Sequence, residues 1–537
     1  MKRENQGLYD KFGAGLSTAA IWTLRIVGSV IFLALGWYAL RYTQYMPDFY
    51  SEVPINMHDS MWRNLLCLIL AVLVLAVLFV LERRLSAKVR FWALRFTVMS
   101  LSLWVGLLGL FWITLADRVP VGDQAFINGG ASYFIEGNYA FLGKGAYCDM
   151  WPQQLGLIAV VELLFRFLGT YNYFACQVIN VGLAVGISIL GYLLVRRMSD
   201  HVAVAAAYCI LMFACLPMIF YTGWIYGDIP SIFFMLLAAY LLLRYTESKY
   251  WGWLAGVVMA VTMAVVVREN SLIMLVALCL SAGVYAIAQR DKRLALAIGL
   301  SVLLPWLAYA GIAKMYQLRS GTEPLGGIPA VTYVAMGMQE HGGKYGWFSQ
   351  YSKEVYWAAE FDPKMAARVS WQDVKARLKE FAQAPSYAWH FYREKILSQW
   401  NQPMYQSMFF SAQYPSDKEP PPDSFDARMH GQYLPIMLNI CDRLQFILYI
   451  GILCYFLFAV KKGSNILQHM LAATIIGGFF FSIIWEAKAR YILPYYLMMY
   501  PLAVVGYWQL FNSVMSLIGR LRKKDQADNI IPFRRAA

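Results

Sequence analysis

About a dozen apolar runs, each close to the length of a bilayer crossing, follow one another along the chain with mostly short polar loops between them. No other feature constrains the fold as much. In hydrocarbon every backbone N–H and C=O must be bonded within its own segment, so such runs fold as helices. They fall at 20–40, 61–81, 91–115, 174–195, 202–220, 229–243, 251–267, 271–288, 294–313, 443–460, 465–484 and 491–515. With 59% hydrophobic and 15% charged residues among 537, neither a soluble enzyme nor a disordered chain fits. The predicted class is an all-α polytopic membrane protein of about twelve transmembrane helices.

The formal net charge of +14 would suggest nucleic acid in a soluble protein. Here the basic residues collect in short loops: ERRLSAKVR at 82–90, Arg196 and Arg197, Arg244 and Lys249, QRDKR at 289–293, Lys461 and Lys462, and RLRKK at 520–524. Alternate loops carry them, which is the positive-inside pattern. The charge therefore reports topology: both termini are expected in the cytoplasm, and no nucleic-acid partner is implied. Of the eight cysteines, Cys67, Cys209, Cys215, Cys279 and Cys454 lie in apolar runs and none forms a CxxC pair, so they read as packing residues. The first run lacks a cleavage-site pattern and reads as a retained helix in a multi-pass cell-membrane protein.

Four parts follow from the run positions. Residues 1–90 form an N-terminal segment and a helical hairpin. Residues 91–313 form a transmembrane core holding an acidic outer loop at 116–153. Residues 314–442, mixed in character and without a spanning run, form an extracytoplasmic soluble region. Residues 443–537 supply the last helices and a basic cytoplasmic tail. The apolar stretch 154–169 is short and lacks flanking basic clusters, so it reads as an interfacial helix. Within the soluble region Ser370 reads as the cap of a helix through WQDVKARLKEFAQ, and SDKEPPPDS at 416–424 as a Pro-rich loop.

The outer loop ADRVPVGDQAFINGGASYFIEGNYAFLGKGAYCDMWPQ is where polar chemistry first collects against the membrane. It holds Asp117, Asp123, Glu136 and Asp149 against Arg118 and Lys144. Carboxylates beside a bilayer are costly to desolvate, which marks the loop as a candidate active-site loop.

Three later stretches, YTGWIYGDIPSIFF, VVRENSLI and WEAKARYILPYYLMMYP, sit at the outer ends of later runs. With the loop VPVGDQAFINGGASYFIEGNYAFLGKGAYCDMWPQQLGLIAVVELLFRFLG, they resemble, in their order along the chain, the GT-C glycosyltransferases. In particular they resemble the bacterial family 39 enzymes related to protein O-mannosyltransferases and to the aminoarabinose transferase of lipid A. Residues 20–81 depart from that pattern as an extra helical hairpin. The adjacent pair of carboxylates usual in protein O-mannosyltransferases is absent. The resemblance implies a GT-C fold that transfers a sugar from a polyprenyl-phosphate donor, drawn from membrane lipid, to an extracytoplasmic glycan, lipid or protein. A phosphate leaves readily once its charge is met, so one carboxylate base and one or two arginines suffice.

The resemblance places the base at Asp123, with Asp117 second; either also reads as a helix cap or a turn residue beside Pro120. Arg268 and Arg490, at outer ends of spans, are candidates for the donor phosphate; a cation truly at depth costs about 3 kcal/mol, and the alternative is snorkelling to headgroups. Glu486 lies four residues before Arg490 and would orient it. Tyr221, Tyr226 and Asp228 form a polar patch for acceptor or substrate, Asp228 also reading as a cap. His341 in GMQEHGGKYGW sits in a Gly-rich acceptor-loop candidate. Trp347, Trp357, Trp371, Trp389 and Trp400 read as sugar-stacking surfaces or as the core of the soluble region. No metal-ligand spacing occurs, which calls for no metal while leaving a divalent ion at the phosphate compatible. Two readings compete: a transporter or flippase of lipid-linked sugars, disfavoured because the charges sit at span ends, and a polysaccharide polymerase or ligase.

Overall fold

The computed structural model describes residues 2–47, 52–116, 119–323, 326–411, 421 and 423–528. The chain is an all-α polytopic membrane protein. Among the described residues ten helices are long and apolar enough to cross a membrane, from Lys11–Ala39 to Ala489–Arg520. The run at 202–220 is an eleventh only as a broken pair, Val202–Phe213 and Leu216–Gly223, bent by 56°. The break falls at Ala214 and Cys215, and Pro217 in the first turn of the second helix sets it, since it has no N–H to bond back to Phe213 across the gap. The helix Trp251–Val267 follows the predicted run but has 17 residues, short for a crossing. Two small antiparallel hairpins, Tyr42–Tyr45 with Ile55–His58 and Glu340–His341 with Lys344–Tyr345, interrupt the helical architecture.

The N-terminal helix Lys2–Ala39 is wedged into the bundle, against Leu272–Gln289 and Leu434–Cys454. Its partner Met61–Arg84 is peripheral: only Asn64, Leu75 and Phe79 are buried, and Leu66, Leu70, Leu73 and Val77 face outward as lipid-facing residues should. The central pair is Leu434–Cys454 against Leu493–Asp528, where Tyr496 and Tyr500 are fully buried.

One end of the bundle is capped by residues 326–411 with 423–433. Their helices Ala330–Met336, Tyr351–Ala358, Pro363–Gln383 and Pro385–Trp400 enclose two small apolar clusters, one around Tyr333, Met336 and Tyr356 and one around Val374, Phe381 and Phe391. Ser370 does not cap a helix. Asp362 does, accepting from Lys364 N–H at 2.8 Å with Pro363 at the first helical position, while Ser370 is mid-helix and buried on Thr332. An Asp-Pro start outcompetes a serine seven residues later because proline is pre-set for the first turn. The predicted Pro-rich loop 416–424 lies outside the described residues except at 421, 423 and 424.

Three buried polar groups brace this end of the molecule, and two of them, Asp149 and Lys395, tie the cap to the rest. Asp149 accepts from the N–H groups of Gly145 and Gly326, both at 2.8 Å, and from Tyr356 Oη at 3.2 Å. Glu162, buried on the helix Leu155–Leu168, binds Arg319 Nη1 at 2.9 Å and Tyr316 Oη at 2.5 Å at the end of Lys292–Ser320. The third is Lys395, fully buried, whose Nζ donates to Gly337 O at 2.5 Å and to Ile483 O at 2.9 Å.

Burial pushes the Lys395 ammonium down to about 7, with Glu486 opposing the shift. A neutral amine has two N–H donors, which the two carbonyls satisfy. Between about pH 7 and the ordinary lysine range the unfolded chain holds a proton that the folded chain lacks, so this group's contribution to stability rises with pH, by at most about 1.4 kcal/mol per pH unit. The melting temperature of the detergent-purified protein minus that of Lys395→Met is therefore expected to increase from pH 7 to pH 9. A difference that stays flat or falls would mean that Lys395 is charged in place.

Candidate functional site

Beneath the cap, a cavity of about 200 Å³ opens where four separate stretches converge. The 123–154 stretch brings Asp123, Tyr147, Trp151 and Gln154; the 226–270 stretch brings Tyr226, Arg268 and Glu269. The cap adds Tyr333, Phe348 and Lys353, and the turn before the last span adds Trp485, Glu486, Lys488, Arg490 and Tyr491. Five residues singled out in the sequence, Asp123, Tyr226, Arg268, Glu486 and Arg490, thus share one wall system.

Asp123 is the first residue of the helix Asp123–Ile135, behind Gly122. Its side chain is 49% exposed, and Oδ2 stands 4.0 Å from Arg490 Nη2. The next residue fixes it: Gln124 is buried, and its Oε1 accepts from Tyr173 and, at 3.0 Å, from Ile225 N–H, tying the helix start to the Tyr226 loop.

The two arginines are held differently. Arg268 forms a buried ion pair with Asp228, at 3.0 and 3.1 Å, and also donates to Tyr226 O at 3.0 Å. Asp228 opens the helix Asp228–Ser248 and is fully buried; the cap position belongs to Gly227. Gly227 has φ +84°, and a Cβ there would lie 2.4 Å from Val267 O, so only glycine lets the two loops approach this closely. Arg490 is 3% exposed. Its backbone N–H donates to Gln406 Oε1 at 3.0 Å, and its guanidinium lies 4.8 Å from the Tyr226 ring and 4.7 Å from that of Phe410. Its Nε and Nη1 are buried without a hydrogen-bond partner. Such donors carry a desolvation penalty that an anion in the cavity would remove.

Tyr226 is stacked between both guanidiniums, and its hydroxyl bonds Gln154 Nε2 at 3.0 Å and contacts Tyr147 Oη at 3.3 Å. Burial, and then the Asp123 carboxylate, push its phenol up, so it stays protonated. Glu486 does not pair with Arg490 as an i, i+4 neighbour, because residues 485–488 are not helical. It accepts instead from Tyr491 Oη at 2.5 Å, Oε2 has no partner, and burial raises its carboxyl.

Tyr221 is buried behind the Trp224–Phe410 wall, donating to Tyr405 O at 2.7 Å and lining a smaller neighbouring cleft. His341 lies outside the cavity, exposed in the 340–345 hairpin and 3.1 Å from Gln339; the glycines beside it, Gly342 and Gly343, make the hairpin turn. Asp117 lies outside the described residues. Trp347 and Trp400 are buried, whereas Trp357, Trp371 and Trp389 are exposed on the cap, away from the cavity lining. Lys353, Lys488 and Glu269 were not singled out in the sequence. Lys353 and Lys488 flank Phe348 at 5.6 and 5.1 Å, and a lysine in a mixed polar segment carries no local signal of the cavity it reaches. Among the described residues no cluster of three or more His, Cys, Asp or Glu could hold a metal ion.

The profile of the dolichyl-phosphate-mannose-protein mannosyltransferase family matches residues 156–309, and no curated protein matches the chain. The matched stretch is under a third of the chain and holds Tyr221, Tyr226, Asp228 and Arg268. Asp123, Glu486 and Arg490 complete the same cavity from outside it. Over that stretch the chain is similar to membrane glycosyltransferases that use a polyprenyl-phosphate-linked sugar.

Removing one partner of a buried ion pair costs about 3–5 kcal/mol, whereas replacing both by apolar groups costs far less. Asp228→Ala is expected to lower the melting temperature in detergent sharply, and Asp228→Leu with Arg268→Met to recover most of it. A mild single variant would show that Arg268 finds another partner or water.

Proposed function

We propose that the protein is a membrane glycosyltransferase that moves a sugar from a polyprenyl-phosphate donor to a hydroxyl of an extracytoplasmic acceptor, with Asp123 as general base. The observation that carries this reading is Arg490: a buried cation with two unsatisfied donors, 4.0 Å from an exposed carboxylate, in a cavity at the end of a helical bundle. The donor phosphate takes those N–H groups, with Lys488 a further donor on the same wall. The acceptor oxygen attacks the anomeric carbon and gives its proton to Asp123. The bond from that carbon to the phosphate oxygen breaks, and its electron pair leaves on the phosphate, where the arginines meet it. The Arg268–Asp228 pair has no net charge to offer alone, so Arg490 carries most of the leaving-group stabilisation. An apolar groove of about 520 Å³ between Trp251–Val267 and Lys292–Ser320, lined by Leu254, Val258, Leu300 and Leu304, lies on the half of that helix away from Arg268 and offers a place for the far end of a prenyl chain.

Transfer from a panel of polyprenyl-phosphate sugars, followed by mass spectrometry in detergent, tests the reading. Asp123→Asn keeps shape but cannot take the proton, so kcat should fall about a hundredfold to ten-thousandfold with donor binding intact. Arg490→Ala should weaken donor binding as well, because the phosphate is charged before reaction begins. If Asp123→Asn transfers normally while Asp117→Asn does not, the base moves six residues toward the membrane. If the wild type only carries lipid-linked sugar across vesicles without consuming it, the flippase reading takes over.

The same reading puts the cap and cavity on the extracytoplasmic side, with both termini inside, because the basic loops lie at the other end of the spans. A single cysteine at exposed Ser386 should react with a membrane-impermeant maleimide on intact cells, and one at Lys462 only after permeabilisation. Labelling of both from the same side would remove this topology.

A further inference from the structure

The hairpin at residues 20–81 precedes the matched stretch, and its place in the chain gives no hint of a link to the cavity. The structure ties it there. Its strand Tyr42–Tyr45 is seated on the end of the helix Pro385–Trp400: Gln44 N–H donates to Asn401 O at 3.0 Å, and Asn401 Nδ2 donates to Tyr42 O at 2.5 Å. Thr43, buried beside them, contacts Asp59 Oδ2 at 2.6 Å and Asp442 Oδ1 at 2.7 Å, fixing both ends of the connection to the bundle.

From that anchored connection Glu52 reaches the cavity wall. Its Oε1 accepts from Lys488 Nζ at 3.1 Å and from Gln406 Nε2 at 3.2 Å. Both charged side chains are largely buried, at 14% exposed for Glu52 and 12% for Lys488. Gln406 is fully buried, and its other amide atom, Oε1, accepts the backbone N–H of Arg490 at 3.0 Å. One carboxylate therefore touches a lysine of the cavity directly and reaches the backbone of Arg490 through a single amide.

We propose that Glu52 is a positioning residue of the donor site: it holds the Lys488 ammonium at the cavity wall and, through Gln406, steadies the segment that carries Arg490. This rests on the transferase reading above and extends it, making the extra hairpin part of the phosphate site. A lysine stem has four rotatable bonds, and a half-buried ammonium without a partner turns toward water. With Glu52 in place the charge is pre-oriented toward the polyprenyl-phosphate donor, so ordering it does not weaken binding.

The test uses full-length protein in detergent and reads donor KM, kcat and melting temperature, together with direct binding of polyprenyl phosphate. Glu52→Ala is expected to raise donor KM about tenfold with kcat within about threefold, as loss of an interaction made equally in the ground and transition states should. Glu52→Gln keeps an acceptor for Lys488 and a partner for Gln406, and should restore most of the affinity. Lys488→Met, which removes the ammonium itself, should raise donor KM at least as much as Glu52→Ala, and the double variant should be no worse than Lys488→Met, since the Glu52 contact is lost in both. An unchanged KM in a stable Glu52→Ala, or additive losses in the double variant, overturns the proposal and leaves a merely structural contact. If Arg490→Ala loses donor binding while Glu52→Ala does not, only the role of Glu52 falls. If the wild type binds no polyprenyl phosphate, the transferase reading falls, and this proposal with it.

Discussion

Two guanidinium groups buried at the end of an apolar bundle set the terms for everything around them. Taking an ion out of water costs several kcal/mol even after relaxation, and near a bilayer no solvent shell is at hand to reduce it. Arg268 is met by a full carboxylate, Asp228, and a carbonyl. Arg490 is met by ring faces and by Asp123 at the edge of ion-pair range. The first arrangement is closed and the second is open, which is a structural reason to assign the variable charge of a substrate to Arg490.

The surroundings serve that open charge. The cap covers the bundle end and Arg490 is 3% exposed, and in the lower dielectric of a buried position its attraction for an anion is several times what it would be at a surface. The ties at Asp149 and Lys395 hold the cap with buried polar groups, each matched to donors or acceptors across the seam. An apolar seam would have slid more easily, since apolar contacts are non-directional and hydrogen bonds are not. Tyr226 between the two guanidiniums is of the same kind: its ring faces both cations while its hydroxyl stays protonated and bonded to Gln154.

Much of this was legible in the sequence because the membrane makes local pattern unusually informative. Run length alone placed the helices, failing only where Pro217 breaks one and where Trp251–Val267 proves short. Arg268 and Arg490 stood out because charged residues beside apolar runs are rare and each lay at a span end, and Asp123 because of its place in the outer loop that carries the family resemblance. What stayed hidden was pairing across distance. Nothing near Asp228 announces Arg268, forty positions on; Lys395 reads as one more lysine on a soluble helix. Glu52 and Lys488 are 436 positions apart. Glu486 misled for the opposite reason: its spacing from Arg490 fits a helix, but the segment is irregular, so the local rule had no helix to act on.

The unequal compensation of the two arginines also bears on how such a site rests when empty. Asp123, half-exposed and 4.0 Å from Arg490, meets the guanidinium only at the edge of ion-pair range, so the empty cavity leaves both groups open to a ligand. On the transferase proposal a donor phosphate at the guanidinium would offset the pull between the two, one anion cancelling one cation, so the 4.0 Å contact that holds Asp123 to Arg490 in the empty cavity would give way and leave the carboxylate free to meet the acceptor hydroxyl.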